Sequence, residues 1–336
     1  MQQHPVPQAR FHELVRAVCR DTYSDEDLAR YGEIEDWDVS EIEDMSEAFA
    51  HQYAFHRDLS RWDVGRVTTM RGMFRGAMDF NAPIGGWDTS HVTDMSDMFD
   101  VARAFNAPIG DWDVSRVTNM SRMFHHAVSF NQPIGRWNVS RVTDMTRMFA
   151  SAYAFNTPIG RWDTGRVTDM KGMFFNALVF HQPLGDWDVS RVTTMHGMFR
   201  GARHFDQPLE TWDTRSVQTM SEMFHMAGCF NHPLERWDTR AVRDMSRMFR
   251  NATSFQQPLA GWDVSRVRDM TCMFKNASRF LRSGGAAALR DWGVVRTCTR
   301  LDHMFVDEQQ RVHPKKRPSP LGPARPRRPL RLNMLL

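Results

Sequence analysis

Tryptophan recurs along this chain at a fixed interval. It occupies Trp37, Trp62, Trp87, Trp112, Trp137, Trp162, Trp187, Trp212, Trp237 and Trp262, each 25 residues after the last, and Trp292 follows after 30. A catalytic site needs its residues once, whereas a stacked structure needs them at every layer. A constant period between about 20 and 50 residues marks a solenoid or similar repeat array. A length of 336 residues would by itself suggest about two domains. The unbroken period reads instead as one elongated domain.

With each Trp counted as position zero, apolar residues return at the same places. In the coil that starts at Trp137 they are Val139, Val142, Met145, Met148, Phe149, Ala152, Phe155, Pro158 and Ile159. These are the expected inward positions. Trp and the residue two places on alternate with polar residues, which predicts a short strand. "RVTDM" is rich in β-branched residues and predicts a second one. "MTRMFASA" shifts to spacings of three and four, which predicts one or two helical turns, capped by the Ser or Thr after Met. "FNTPIG" turns the chain, Pro fixing φ and Gly permitting a bend. One such unit cannot cover its own apolar side, so each Trp is expected to be covered by the Trp of the next coil. Parallel strand pairing would add about 4.8 Å per coil, or roughly 50 Å over eleven coils.

The expected architecture is an α/β repeat solenoid of about ten to eleven coils, with short parallel strands, short helices and a helical N-terminal cap. The cap falls at residues 1–36, the solenoid at 37–305 and a tail at 306–336. In "RFHELVRAVC", Phe11, Leu14, Val15 and Val18 share one helical face, and Ser24 is placed to cap a second short helix holding Leu28 and Tyr31. The first coil deviates as a terminal unit should, with Ala48 in the Met position before Phe49 and Gln52 at position fifteen. The tail is rich in Pro and Arg, lacks the period, and is expected to be disordered.

Composition excludes several classes. No apolar run of about 18 residues is present, so no transmembrane helix is expected. Residues 1–20 hold no apolar stretch of signal-peptide type. Cys19, Cys229, Cys272 and Cys298 show no CxxC spacing and predict neither a disulfide framework nor a zinc site. Sequons at Asn119, Asn138, Asn251 and Asn276 are of a kind that arises by chance, and glycosylation is not expected. Residues 306–336 hold eight Lys and Arg against two Asp and Glu, a net of +6, which leaves −3 for residues 1–305 out of the whole-chain +3. The basic character therefore belongs to the tail. Nucleic acid is not an expected partner beyond weak contacts through it.

"FNQPIGRWNVSRVTDMTRMF" strongly resembles the BspA-like leucine-rich-repeat surface proteins, in particular their subgroup with Trp-Asp-Val-Ser, Val-Thr-x-Met and Met-Phe motifs known from mycoplasma lipoproteins. The resemblance covers roughly residues 36–280. It implies a leucine-rich-repeat-like, right-handed solenoid, a binding or adhesive role at the cell surface or outside the cell, and neither catalytic residues nor a cofactor.

Three rows of polar residues are the candidate sites. Asp follows Trp in most coils, as in Asp63, Asp113, Asp163 and Asp263. Stacked carboxylates can hold Ca²⁺, but "D-V-S" predicts a turn in which the carboxylate accepts a backbone N–H two residues on, and Asn138 stands in the row. A basic row runs through Arg66, His91, Arg116, Arg141, Arg166, Arg191 and Arg266, with Ser216 and Ala241 interrupting it and Arg215 and Arg240 one place earlier. This row is the candidate protein-binding stripe; the alternative is a solvated row paired with the Asp three residues before. Asn81, Asn106, Asn131, Asn156 and Asn231 form the third row, which predicts a hydrogen-bond ladder between turns. Position ten, in contrast, changes from coil to coil: Arg122, Arg147, Gly172, Gly197, Glu222, Arg247.

No GxSxG, HExxH, P-loop or GxGxxG motif is present, and no enzyme is predicted. The reading is a non-enzymatic scaffold that binds a protein or other macromolecule, with no small-molecule substrate. The alternatives are a self-associating structural or surface protein and a calcium-dependent adhesin.

Overall fold

A computed structural model of the chain describes residues 4–289, 292 and 300–307. The repeat period becomes a stack of coils. Trp rings lie over one another, Trp162 and Trp187 with centroids 6.3 Å apart and planes 5° apart. Two Phe columns run alongside, at positions twelve and eighteen. In the first, successive rings stand 5.3–5.8 Å apart. In the second they stand 5.8–6.2 Å apart. The two Phe of one coil stack at 3.7–4.2 Å. Of the expected inward residues, Val139, Val142, Met145, Met148, Phe149, Ala152, Phe155 and Ile159 are buried, whereas Pro158 is exposed, Ile159 next to it taking the inward place. Each can be covered only by its counterparts above and below, so stability is carried mainly by nearest-neighbour interfaces.

Each Trp is also tied by its polar edge. Trp162 Nε1 donates to the carbonyl of Ile134, 28 residues earlier, at 3.2 Å, and the same bond recurs from Trp62 to Trp262. The buried indole N–H is thereby satisfied by a carbonyl of the preceding coil, which also accepts the N–H of Trp137 at 3.1 Å. Phe at this place would lose the bond between coils and leave that carbonyl with its local partner.

The expected helix at positions eight to fifteen does not form, and the expected strands shrink to single residues. Among the described residues of the coils, pairing of strand type is confined to a column of isolated parallel bridges at position seven, from Asp44↔Thr69 to Asp244↔Asp269, continued by Asp269↔Arg300. The reason lies in where the N–H groups point. In the coil of Trp112, Met120, Arg122, Phe124 and His126 donate to Asp144, Thr146, Met148 and Ala150 of the next coil at 2.8–3.0 Å. Between them, Met123, His125 and Ala127 donate three residues back within their own coil at 3.0–3.2 Å. The N–H of Ser121 donates to the Oδ1 of Asn119 at 2.9 Å, so Ser at this place caps no helix. An α-helix would direct each N–H four residues back and leave none for the neighbouring coil.

This alternation requires a left-handed residue at positions ten and fourteen, as a turn with positive φ at its third residue does. Arg122 has φ 58° and His126 has φ 54°, and both positions are left-handed in all ten coils from Trp37 to Trp262. Most of these residues are not glycine. Val101, at φ 63°, is a β-branched residue in a region such residues avoid. The inter-coil bonds hold it there. Gly135 serves a different purpose from the expected bend: a Cβ on it would stand 2.3 Å from the carbonyl oxygen of Pro158 in the next coil.

Two helices precede the first coil. Helix α1, Gln8–Cys19, buries Phe11, Leu14 and Val15, and Phe11 meets Trp62 edge to face at 5.9 Å. Helix α2, Asp25–Tyr31, is capped by the Ser24 side chain, which accepts from Asp27 N–H at 3.0 Å. Side chains of α1 replace the backbone of a coil that is not there. Gln8 Oε1 accepts the N–H groups of Glu43 and Asp44, and its Nε2 donates to the Asp44 carbonyl, each at 2.9 Å. His12 Nε2 meets the Ser46 carbonyl at 2.8 Å. Elsewhere those carbonyls receive backbone N–H groups from the preceding coil. The exposed edge of the first coil is thus closed, which removes a template for unwanted pairing.

At the other end, Trp292 stacks on Trp262 at 6.4 Å and Phe305 on Phe274 at 5.7 Å. The longer spacing before Trp292 is taken up by two short helices, α3 at Ser278–Arg282 and α4 at Gly285–Ala288. The expected disordered tail lies, beyond Asp307, outside the described residues, as does Cys298. Cys19, Cys229 and Cys272 are free thiols. Among the described residues no helix is long and apolar enough to cross a membrane.

Candidate binding surfaces

The corner from position one to position four carries the Asp and Arg rows. Asp113 Oδ1 accepts the N–H of Ser115 at 2.9 Å, and Asp188 that of Ser190 at the same distance. Asn138 makes the equivalent bond to Ser140 at 3.2 Å, which explains how an amide replaces a carboxylate here. The Asp row is therefore a column of turns. Asp88, Asp188 and Asp263 are held below the usual carboxylate range, first by the hydroxyl of the Ser two residues on and then by its N–H. Where position two is Thr, as in Thr164, its buried hydroxyl donates to the Asp188 carbonyl of the next coil at 2.9 Å.

Arg66, His91, Arg116, Arg141, Arg166, Arg191 and Arg266 are all exposed. None makes an ion pair with the Asp three residues before among the described residues, so the paired-row alternative does not hold for them. It holds instead where the row breaks. Arg240 grips Asp238 with Nε–Oδ1 at 3.0 Å and Nη2–Oδ2 at 2.5 Å. Arg215 grips Asp213 through one oxygen, both Nε, at 2.6 Å, and Nη2 donating to Oδ2. Those two carboxyls are lowered first by that guanidinium. The stripe does not continue through Arg215 and Arg240 as free charge. Outside position four, the hydroxyls of Thr93, Thr118, Thr143, Thr168 and Thr193 donate to the carbonyl of the Thr one coil earlier at 3.1–3.2 Å.

The Asn row is the predicted ladder. Asn81 Oδ1 accepts the N–H of Asn106 at 2.8 Å, and Asn106 and Asn131 repeat the bond to the next coil at 2.9 Å. Its amides are committed to holding turns in register.

A third surface was not legible as a site. It comprises positions nine to seventeen, where the residue changes from coil to coil. Asp100 is buried, with Oδ1 2.6 Å from His125 Nδ1 and Oδ2 2.5 Å from Arg122. Asp97 meets Arg122 Nε at 2.7 Å. Burial raises the Asp100 carboxyl, but His125 and Arg122 outweigh it and hold it below its usual range. Glu222 is contacted by Arg200 and by Arg247, the latter at 3.0 Å. His225, whose Nδ1 stands 3.9 Å from Glu222, acts with these guanidiniums to hold that carboxyl at about 2 against the effect of burial. The variation of position ten pointed here, but the pairing partners come from different coils and different positions.

Among the described residues no three His, Cys, Asp or Glu side chains gather as a metal-binding group. A family model described as "Mycoplasma protein of unknown function, DUF285" matches the chain in five overlapping segments, residues 19–117, 82–186, 106–211, 175–286 and 202–312. No curated protein matches it. A solved structure, the complex of TLR13 with ssRNA13, aligns with a TM-score of 0.28 at 9% identity over 66% of this chain and 35% of that one. At that score the likeness bears on neither fold nor function.

Proposed function

We propose that this chain, which belongs to the DUF285 family of mycoplasma proteins of unknown function, is a non-enzymatic repeat scaffold that binds another macromolecule, in the first place a protein, through the stripe Arg66, His91, Arg116, Arg141, Arg166, Arg191 and Arg266. The observation that carries this reading is that the stripe is exposed and makes no ion pair with its own Asp row, while the other repeated polar rows are consumed by backbone bonds. The Asp row runs through the same corner, close enough that Arg191 lowers Asp188 and Arg266 lowers Asp263. A surface with parallel acidic and basic rows suits a protein carrying both signs better than a pure polyanion. The resemblance to BspA-like surface proteins supports an adhesive role of the same kind.

The test is retention of proteins from lysate and cell-surface extract on the immobilised chain. The substitutions Arg116→Ser, Arg141→Ser, Arg166→Ser and Arg191→Ser together should lower retention and its sensitivity to salt, since exposed charges are screened within about 8–10 Å at physiological ionic strength. The fold should be unchanged. Retention that ignores all four changes would refute the stripe.

A further inference from the structure

Positions nine to seventeen of the eight coils from Trp87 to Trp262 hold ten Lys and Arg against three Asp and Glu, a net of +7. Residues 1–305 as a whole carry −3, so everything else in them sums to −10. The three acids of this edge are all engaged: Asp97 and Asp100 by Arg122, Glu222 by Arg200 and Arg247. Arg103, Arg147, Lys171, Arg203 and Arg279 are exposed on it, and they make no ion pair among the described residues. The edge therefore offers free cations and no free carboxylate, while the rest of the coils and cap is acidic.

The edge is one connected surface. Arg122 reaches back into the preceding coil at Asp97 and Asp100, and Arg200 lies over the Phe175 ring at 5.1 Å. Arg203, His204, Met226, Cys229, Asn251 and Thr253 line a shallow concavity across three coils. Within these eight coils the exposed large apolar side chains, Tyr153, Val179 and Met226, all stand at positions fourteen to seventeen. The other outward rows repeat from coil to coil, among them an exposed row of Pro at position twenty-one.

We infer that this edge is a second interaction surface, distinct from the stripe, and that it binds an acidic protein segment bearing apolar side chains. The net charge selects an acidic partner by complementarity. The apolar residues between the cations give that partner something to bury, which a phosphate backbone would not use. Single-stranded nucleic acid favours rows of exposed aromatic rings for its bases. In the eight coils from Trp87 to Trp262, Tyr153 is the large exposed aromatic of that kind, and Phe305 follows only in the last coil. The surface is aperiodic, so it suits one sequence in one register, unlike the stripe. The inference stands on the edge alone and does not need the stripe to bind.

The test uses the full chain and a fluorescein-labelled peptide of Glu and Leu, read by anisotropy. The substitutions Arg147→Ser, Lys171→Ser, Arg203→Ser and Arg279→Ser remove exposed cations without touching a buried contact. They should weaken binding about tenfold. The four stripe substitutions should leave it unchanged, and the tail is common to all variants. In the unaltered chain the peptide should also slow maleimide labelling of exposed Cys229, identified by peptide mass mapping. Binding that survives the edge substitutions, equal weakening by the stripe substitutions, or unchanged labelling of Cys229 would each overturn the inference. So would tighter binding of a poly-U oligonucleotide than of the peptide at the same salt.

Discussion

Replacing Trp162 by Ala probes the stacking directly. The ring is 3% exposed, lies 6.3 Å from Trp187 and 6.2 Å from Phe149 by centroid, and donates to the Ile134 carbonyl. Truncating a buried aromatic costs about 3–5 kcal/mol through lost burial and the cavity left behind. Removing the indole N–H also loses its bond to the Ile134 carbonyl, which keeps the N–H of Trp137 at 3.1 Å, so this adds about 0.5–1.5 kcal/mol. The two sum to about 3.5–6.5 kcal/mol, a large share of the roughly 5–15 kcal/mol that holds a typical domain folded. Urea denaturation followed by far-UV circular dichroism should show a large fall in midpoint. Trp162→Phe keeps most of the ring and loses the bond, so its loss should be close to the contribution of that one bond, about 0.5–1.5 kcal/mol. A loss below about 0.5 kcal/mol for Ala, the level of a surface change, would refute the stack. Equal losses for Ala and Phe would refute the division between burial and hydrogen bond.

Deleting residues 138–162 removes one full period and should leave a folded, shorter solenoid, whereas deleting 138–149 brings Gly160 and Arg161 into the slots of Met148 and Phe149 and should abolish the cooperative thermal transition; identical melting of the two would show that the coils are not interchangeable. Glu222 titrates near 2, below its ordinary value, so its contribution to stability is present above about 4.5 and is lost as pH falls toward 2. Glu222→Gln should flatten the stability profile in that window, as read by thermal melts across pH, and a profile as steep as that of the unaltered chain would contradict the assignment.

The repeat fixes most of the outer surface as well as the core. Asp, Thr and Asn recur outward because each closes a backbone group of its own or a neighbouring coil, as Asp113, Thr118 and Asn106 do. Positions ten, thirteen, fourteen, sixteen and seventeen carry no such duty in common. Variation collects there, and with it the net positive charge and the exposed apolar side chains. A face relieved of structural work is where binding residues can differ between layers.

The sequence by itself determined the period, the number of layers and the buried rows, because a stack can close only if the same apolar group meets its copy at every level. It also carried the Asp turns and the Asn ladder, whose bonds reach two residues along the chain or one period away. The local backbone was a different matter. "MTRMFASA" has helical spacing, yet Arg147 and Ser151 are left-handed, because the carbonyls of the adjacent coil compete for the N–H groups that a helix would use. No residue signature marks those positions, since glycine is optional there. The fate of charge was likewise decided in three dimensions. Arg141 and Arg240 differ by one position in their coils, yet one is free and the other is bound to Asp238. Arg122 is spent on Asp97 and Asp100 while Arg147 is not, since carboxylates stand at positions ten and thirteen one coil before the first, and Arg122 and His125 stand there one coil before the second.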